Sequence, residues 1–351
     1  MIHPPALKNE KDHDSVKNFN ASQDNPLDSP EAPLVTVVIV NFNGGKMICQ
    51  CLSALRQQSF RRFVVVVVDN NSTDDSVSFI REGFSEVAVL PLDSNLGFAG
   101  GVNHALRICN LGSWVALLNP DAFPAFDWLE NLMVSAVAHP EFAAFGSRMY
   151  SDRNQLLLDG IGDAYHVSGL PWRRGHGCPN SSKYDQAREI FAPCAAAALY
   201  RVEALKVVGL LDEDFFLYVE DIDLGFRLRL AGYRSMYVPN AGIQHLGSAF
   251  VGKHSDLQIY YGHRNLIWAY VKNMPSFLFW LFLPLHIALS LVTLFWFTLR
   301  GHGSVIFRAK RDACRGIPSF WKKRKEIQSV RTASLWGIFL QLSWNPFTRC
   351  V

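Results

Sequence analysis

The sequence predicts an α/β fold built on a parallel sheet, on the basis of three observations. Runs of β-branched and apolar residues alternate with helical segments through residues 34–138. The runs at 34–43 and 63–69 are apolar up to their last positions, as expected for strands covered on both faces. Polar or acidic residues follow the runs, and ligands bind beyond the carboxyl ends of the strands in such sheets.

The individual elements follow from local patterns. Strands are predicted at residues 34–43, 63–69, 87–90 and 114–118. Helices are predicted at residues 52–58, up to Phe79 after the capping loop NNSTDDS, at 97–109 and at 126–138. The loop-rich segment 151–190 receives no regular structure, and a later strand at 234–238 is predicted to end in a loop that contains His245.

Composition and charge bound the possible partners. The chain has 351 residues, is 49% hydrophobic and carries a net charge of +3. Basic residues concentrate after residue 299, beside tryptophans and a long apolar run, which favours an anionic membrane surface as a partner. No other basic face is evident, so the sequence predicts no nucleic-acid partner. Seven cysteines at irregular spacing complete no zinc site and predict free thiols in a reducing cytoplasm.

Three acidic residues, Glu220, Asp221 and Asp223, lie in an apolar frame at the start of a predicted helix. Buried carboxylates are unfavourable unless they are paired or take part in chemistry. Asp223 stands four residues before Arg227 and is predicted to pair with it. Asp221 has no such local partner and is predicted to be a general base. The simpler interpretation, that the helix dipole favours acids in the first turn, suffices for Glu220 and Asp223.

Motifs of two common nucleotide-binding classes are absent. The turn after the first strand reads NFNGGKM and lacks the third glycine of a dinucleotide-binding fingerprint, and the sequence contains no P-loop. The sequence therefore contains no motif that would indicate hydride transfer or ATP hydrolysis. The segment NLGFAGGVN instead forms a glycine-rich approach to a helix N-terminus, which suits a phosphate or a sugar.

Six motifs in order carry a resemblance to a known family. They are VVIVNFN, VVVDNNSTDDS, NLGFAGGVN, LLNPDA, YVEDIDLGFRLRLAGYR and IQHLGS, which together span residues 34–250. In this order they resemble the family 2 glycosyltransferases, which are inverting enzymes of the GT-A fold. The resemblance implies a Rossmann-like mixed sheet flanked by helices. The forms NPDA and VNFNGG are most similar to the rhamnosyltransferase-like branch, which builds bacterial surface polysaccharides.

The resemblance implies a role for each matching residue. It assigns the donor's base and ribose to Asn41, Asn43 and Asp69, and the remainder of the donor site to Asn95, Gly97, Asn103 and Asn119. Asp121 is the implied ligand of a divalent metal, Mg²⁺ or Mn²⁺, with His245 as a second ligand. Asp221 is the implied base, with Glu220 beside it. Asn119 stands where the family has an acid, and an amide oxygen is the weaker ligand for a hard cation.

Simpler interpretations of three of these residues remain open. Asp69 and Asp121 could serve only as caps of the loop or helix that follows each of them. His245 could be a solvated or a core histidine.

The sequence thus predicts three regions: a disordered tail (1–32), a catalytic domain (33–255) and a helical membrane-associating region (256–351). The apolar run at 276–299, about 34 Å long as a helix, could either cross a membrane or lie in its surface. The expected reaction moves L-rhamnose from dTDP-rhamnose, or another sugar from a dTDP or UDP donor, to a lipid-linked glycan. The expected location is the cytoplasmic face of the bacterial inner membrane. A polyprenyl-phosphate glycosyltransferase and a catalytically inactive assembly subunit are the alternatives.

Overall fold

The computed structural model describes residues 33–247, 255–345 and 350. The predicted disordered tail lies outside these residues. The strands are β1 Val35–Asn41, β2 Phe63–Asp69, β3 Ala88–Pro91, β4 Trp114–Leu118, β5 Ala122–Pro124, β6 Phe142–Tyr150, β7 Leu158–Gly160, β8 Asp163–Tyr165, β9 Pro171–Arg173, β10 Arg188–Ile190, β11 Ala197–Arg201 and β12 Arg234–His245. The helices are α1 Met47–Arg56, α2 Ser76–Gly83, α3 Gly97–Ile108, α4 Trp128–Ala138, α5 Val202–Val208, α6 Glu220–Leu230, α7 Asp256–Asn273, α8 Ser276–Phe297, α9 Gly303–Ser329 and α10 Leu335–Gln341.

A mixed ten-stranded sheet forms the centre of the fold, with its main strands in the order β10-β12-β6-β11-β4-β1-β2-β3. Strands β1 to β4 are parallel, as the alternation of strands and helices predicts. The other half is mixed, because β11 runs antiparallel to both of its neighbours, β4 and β6. The mixed GT-A sheet implied by the resemblance is therefore confirmed.

The register of the parallel strands brings the predicted donor residues together. Asn41 and Asp69 are direct partners in β1 and β2, at the carboxyl edge of the sheet. The side chains of β1 are buried along its whole length, as a strand covered on both faces requires. The polar ends of these strands therefore open at one edge, next to the residues that follow β4.

The segment 151–190 is more regular than the sequence predicts. It contains the three-residue strands β7 to β10 and a short helical turn at Ser182–Tyr184. Strands of three residues are too short to show an alternating pattern, which is why the sequence did not reveal them. This segment folds back onto α6, where the ring of Tyr165 packs edge-on against Phe226 at 5.2 Å between ring centroids.

The prediction of free thiols is wrong for one pair of cysteines. Cys178 and Cys350 form a disulfide across 172 positions of sequence. Such a distance leaves no local spacing pattern, so the pairing could not be read from the sequence.

Helices α7, α8 and α9 pack together beside α6. Helices α7 and α9 run parallel to each other. The hydroxyl of Tyr260, near the start of α7, donates to Asp312 of α9, and Arg324, further along α9, donates to the carbonyl of Val271 near the end of α7. Helices α8 and α9 are joined at Gly301, which has a φ of 85° and interrupts the helix. Helix α8 then runs antiparallel along α9.

Candidate active site

Asn41 and Asp69 form the centre of the predicted donor end. The side-chain amide of Asn41 donates to Asp69 Oδ1 at 3.1 Å and to the hydroxyls of Ser72 and Ser76 at 3.1 and 2.9 Å. Asp69 Oδ2 also accepts from the backbone N–H of Ser72 at 3.3 Å. Asn41 is fully buried, and through these hydrogen bonds it holds Asp69 and the loop before α2 in place.

Asn43 links the turn after β1 to the loop after β2. Its Oδ1 accepts from the backbone N–H of Thr73 at 2.8 Å, and its own N–H donates to Ser72 Oγ at 2.9 Å. Asn43 has a φ of 53°, a left-handed conformation that asparagine tolerates better than most residues. The two motifs VNFNGG and DNNSTDDS are therefore fastened to each other at this edge.

The glycine-rich segment is fixed from both sides. Asn95 Oδ1 accepts from the N–H of Gly97 at 2.8 Å, while Asn70 bonds both the carbonyl of Gly97 and the N–H of Leu96. Gly97 has a φ of 73°, and a Cβ there would lie 2.3 Å from the carbonyl oxygen of Phe216. Only glycine therefore allows this loop to touch the segment that precedes α6. The bracing role of Asn70 was not predicted from the sequence.

Asn103 faces the segment before α6. Its amide donates to the carbonyl of Leu211 at 2.7 Å and to Glu213 Oε1 at 2.8 Å, and its oxygen accepts from the N–H of Leu211 at 3.0 Å. The side chain is almost fully buried. Both ends of the amide are thus engaged within the protein, and the contact of Asn103 with the donor stays a prediction.

Asp121 and His245 meet at the end of β12. His245 lies in this strand, opposite Ala122 of β5, and not in a loop as the sequence predicted. The register shift between Val238 and Gly242 explains the error, because the irregular residues there have the pattern of a strand end. His245 Nε2 lies 3.5 Å from Asp121 Oδ1, and the backbone carbonyl of Asp121 accepts from the N–H of Leu246.

The donor set of this pair suits a divalent cation. His245 is 5% exposed, and its Nε2 is a buried nitrogen without a hydrogen-bond partner. Its Nδ1 is 2.8 Å from Asp159 Oδ2, an arrangement that leaves Nε2 available as a ligand. Carboxylate oxygen suits Mg²⁺ and Mn²⁺, and neutral imidazole is the commonest protein ligand of metal ions in general. Burial alone would lower the pKa of His245, but the neighbouring carboxylates of Asp121 and Asp159 raise it to about 9.

Glu220 and Asp221 are the first two residues of α6, which follows a residue with a strained backbone conformation. Val219, which precedes the helix, has a φ of 72°. Asp221 is partly buried, and its two oxygens accept from the N–H groups of Ala195 and Ile222 at 3.2 and 2.8 Å. Burial raises the pKa of Asp221 above its ordinary value, and burial together with the charge of Asp221 raises the pKa of Glu220 further. A carboxylate with a raised pKa is suited to accept a proton.

A second carboxyl group and a thiol accompany Asp221. Asp163 and Cys194 place their polar atoms within 4.8 Å of a carboxylate oxygen of Asp221 and of each other. We refer to Asp163, Cys194 and Asp221 as the base-side cluster. Burial and the charges of Asp221 and Asp159 raise the pKa of Asp163 to about 8, against the opposing charge of Arg173.

Asp223 belongs to a separate, structural network. Its pairing with Arg227 is confirmed, with 2.9 Å between Asp223 Oδ2 and Arg227 Nε. Two partners from α7 were not predicted: Lys272 Nζ at 2.8 Å and Asn273 Nδ2 at 2.8 Å. Lys272 also pairs with Asp212 at 2.7 Å. The entry to α6 is therefore held by charges from the C-terminal helices.

Asn265 of α7 also stabilises the segment that precedes α6. Its side chain is fully buried, and its amide donates to the carbonyls of Phe215, Leu217 and Tyr218 at 2.8–2.9 Å. Buried backbone carbonyls need such partners, because leaving them unpaired is unfavourable. Helix α7 thus shapes the segment that leads to the predicted base.

The comparisons with known proteins agree with this fold and with the family resemblance of the sequence. Residues 36–209 match the family model described as Glycosyl transferase family 2. Over 237 residues the chain is 29% identical to the N-acetylglucosaminyl-diphospho-decaprenol L-rhamnosyltransferase of Mycobacterium tuberculosis, covering 60% of this chain and 76% of that protein. It is 28% identical to the pre-mycofactocin glycosyltransferase of the same organism, covering 63% of this chain and 44% of that protein.

Solved structures share the fold at low identity. The mannosyltransferase PcManGT of Pyrobaculum calidifontis, in complex with GDP-Man and Mn²⁺, superimposes with a TM-score of 0.53 at 20% identity, covering 90% of this chain and 79% of that one. GalNAc-T7 with UDP, GalNAc and Mn²⁺ gives 0.53 at 14% identity, covering 69% of this chain and about half of that neighbour, 48%. The chain therefore carries a family 2 glycosyltransferase domain and is a glycosyltransferase of the GT-A fold.

Proposed function

We propose that the protein transfers L-rhamnose from dTDP-rhamnose to a lipid-linked glycan acceptor, with inversion, in the synthesis of a bacterial surface polysaccharide. The observation that carries the proposal is the position of Asp121 Oδ1, 3.5 Å from His245 Nε2, a buried nitrogen that makes no hydrogen bond. Asp221, bound only through backbone N–H groups among the described contacts, serves as the base. Similarity to an enzyme named for a decaprenol-linked acceptor supports the sugar and the acceptor class.

The chemistry divides between two groups of residues. Asp221 removes the proton of the acceptor hydroxyl, which is a poor nucleophile until a carboxylate accepts that proton. Asp121 and His245 would hold Mg²⁺ or Mn²⁺, which when bound neutralises the charge that develops on the leaving nucleoside diphosphate. Burial and the neighbouring charge of Asp221 raise the pKa of Glu220 well above its ordinary value, which favours its protonated form. Attack opposite the leaving group inverts the anomeric centre.

The donor is held by the strand ends and by the loops that they fasten. The carboxylate of Asp69 lies at the carboxyl edge of the sheet, a position that suits a contact with the ribose of the donor. Asn43, Asn95 and Gly97 shape the loops on either side of it, and Asn119 lies between β4 and Asp121. Asn41 and Asn103 act through the residues that they brace.

Donor binding tests the proposed reaction. We expect calorimetry on the full chain to show binding of dTDP-rhamnose that depends on Mn²⁺, and the Asp121→Ala variant to lose this dependence because it lacks the carboxylate ligand. Asp127→Ala, which alters an exposed aspartate at the start of α4, serves as the matched control. Metal-dependent binding of a UDP or GDP sugar alone would overturn the rhamnose assignment. Binding of no donor would contradict the reaction itself.

We also propose that residues 33–255 form the catalytic domain and that 256–351 associate with the cytoplasmic face of the inner membrane. By length and composition, one helical stretch of the described residues, Ser276–Ser329, is apolar enough to cross a membrane. Helix α8 exposes a continuous set of large apolar side chains: Phe277, Trp280, Leu281, Leu285, Ile287, Leu291, Val292, Phe295 and Trp296. Exposed apolar surface of this size is typical of a membrane or protein contact.

The packing of α8 on α9 favours a helix that lies in the membrane surface. Lys310 Nζ of α9 approaches Ser290 Oγ at 3.5 Å, near the middle of α8, and Arg324 packs over the ring of Phe279 near its start. Cations of α9 therefore accompany α8 along its length. A helix crossing the bilayer would carry these charges into the hydrocarbon core, which is unfavourable. In the surface plane they would face anionic headgroups.

Vesicle binding tests this arrangement. We expect the protein to float with vesicles that contain phosphatidylglycerol. The double variant Leu291→Glu/Phe295→Glu should lose most of this binding, because charges replace two exposed apolar side chains that would insert into the membrane. The control Val137→Glu changes an equally exposed apolar residue on α4. Alkaline carbonate should release the wild-type protein. Resistance to carbonate would indicate a spanning helix and overturn the surface arrangement.

A further inference from the structure

We infer that Asp159 and Arg173 form a positioning pair that holds the metal ligand His245 and the base-side cluster in a fixed relation. This inference rests on the proposed function, since it concerns the residues that would bind the metal and remove the proton. Neither residue belongs to the six motifs that the family resemblance covers.

On the metal side, Asp159 fixes the ring of His245. Asp159 Oδ2 lies 2.8 Å from His245 Nδ1 and accepts a hydrogen bond from it, so the opposite ring nitrogen, Nε2, points toward Asp121. His176 Nδ1 contacts the backbone carbonyl of Asp159 at 3.0 Å and its Oδ1 at 3.3 Å. A carboxylate behind an imidazole ligand sets the orientation of the ring and the basicity of the metal-binding nitrogen.

On the base side, Arg173 reaches two members of the cluster. Its Nη2 donates to Cys194 Sγ at 2.8 Å, and its Nε lies 3.9 Å from Asp163 Oδ1. The third nitrogen of the same guanidinium, Nη1, donates to Asp159 Oδ2 at 2.6 Å. One planar group therefore contacts the carboxylate that orients His245 and the groups that surround Asp221. Because its fork geometry is rigid, displacement at one end is transmitted to the other.

The local backbone is built to admit this contact. A Cβ at residue 160 would lie 2.3 Å from both Cγ and Cδ of Arg173, so the glycine that follows Asp159 leaves the path for the arginine side chain. Three of the four short strands in segment 151–190 contribute one charged residue each: Asp159 from β7, Asp163 from β8 and Arg173 from β9. This segment, which lies between β6 and β11 in the sequence, thus brings charged groups to a single point.

The decisive measurement is Mn²⁺ affinity in the presence of dTDP, made by calorimetry on the full-length protein. We expect Asp159→Asn, which keeps the shape and removes the charge, to weaken Mn²⁺ binding by about tenfold or more. The control Asp185→Asn removes a carboxylate of the same segment, 151–190, from its ion pair with Arg148 of β6 and should leave Mn²⁺ affinity unchanged. A purely structural role would lower thermal stability and leave the affinity of the folded protein intact.

Arg173→Gln provides the second arm. We expect it to weaken Mn²⁺ binding and to lower kcat as well, and the double variant with Asp159→Asn to be less impaired in Mn²⁺ affinity than the sum of the single changes, because the two residues act through one contact. Gly160→Ala displaces the arginine without removing any charge and should weaken Mn²⁺ binding in the same direction. It replaces Asp159→Asn as the deciding variant if that protein does not fold.

The outcomes separate the inference from the proposed function. Wild-type Mn²⁺ affinity in folded Asp159→Asn, or strict additivity in the double variant, overturns the positioning pair and leaves the proposed reaction standing. A wild-type protein that binds no Mn²⁺ with dTDP, UDP or GDP overturns both.

Discussion

Asp221→Asn is expected to lower the turnover number for sugar transfer by roughly 10²- to 10⁴-fold, the usual contribution of a positioned general base. The amide keeps the shape of the carboxylate, but only its single oxygen can accept from the N–H groups of Ala195 and Ile222, and it cannot accept the proton of the acceptor. Affinity for the donor should change little, because the substitution lies on the acceptor side. Single-turnover assays with radiolabelled donor sugar would measure both quantities.

The pH dependence should identify the same group. Burial raises the pKa of Asp221, and only its deprotonated form accepts the proton. The value of kcat/KM should therefore fall on the acid side, with a midpoint above the ordinary aspartate value of about 3.9. This acid limb should be absent from the residual activity of Asp221→Asn. Glu203→Gln, an exposed carboxylate on α5, is the matched control.

Equal background rates for the wild type and Asp221→Asn would contradict the proposed base. That result would favour the inactive assembly subunit, provided that the wild-type protein also fails to turn over any donor. Activity retained in the variant would instead require another base, and Glu220 would be the first candidate because it lies beside Asp221 and has a buried, unpartnered oxygen.

Lys272→Met is expected to destabilise the protein by about 3–5 kcal/mol, the usual effect of removing one partner from a buried ion pair. Asp223 is 0% exposed and Asp212 is largely buried, and both carboxylates pair with Lys272. The substitution leaves Arg227 as the remaining cation at Asp223. Urea unfolding at pH 7 would measure the change. Lys322→Met, at an exposed position of α9, should be nearly neutral.

The same network sets a pH dependence of stability. Burial by itself would raise the pKa of Asp223, but Lys272 and Arg227 outweigh it and lower the pKa to about 2. In the unfolded chain the value is about 3.9. The stabilisation from Asp223 is therefore complete above about pH 4 and is lost as the pH falls toward 2. Lys272→Met should lose less stability over this interval than the wild type, and an equal loss would contradict the assignment.

Sequence reasoning succeeded where the signal was local. The buried strands β1 and β2 are continuous apolar runs, and Asp223 and Arg227 lie on one face of one helix, so both features were predicted. Asp121 lies where the resemblance places it. Its role, like those of the other site residues, stays a prediction until the variants are measured.

The features that were missed depend on contacts between distant parts of the chain. Lys272 follows Asp223 by 49 positions, a separation that leaves no local pattern in the sequence. Asp159, Asp163 and Arg173 lie on strands of three residues, which leave no periodic pattern. Pairing across such separations depends on how the sheet and helices assemble, which local propensity does not specify.

Asn265 and Lys272 of α7 join this helix to the segment before α6 and to α6 itself, the helix that bears Asp221. If α8 rests on the bilayer as proposed, Asp221 stands at a constant height above the lipid headgroups. The reactive hydroxyl of an acceptor must rise to that height from its own lipid phosphate. The enzyme would thereby measure its acceptor, selecting a glycan by the number of sugars between the membrane and the residue to be extended.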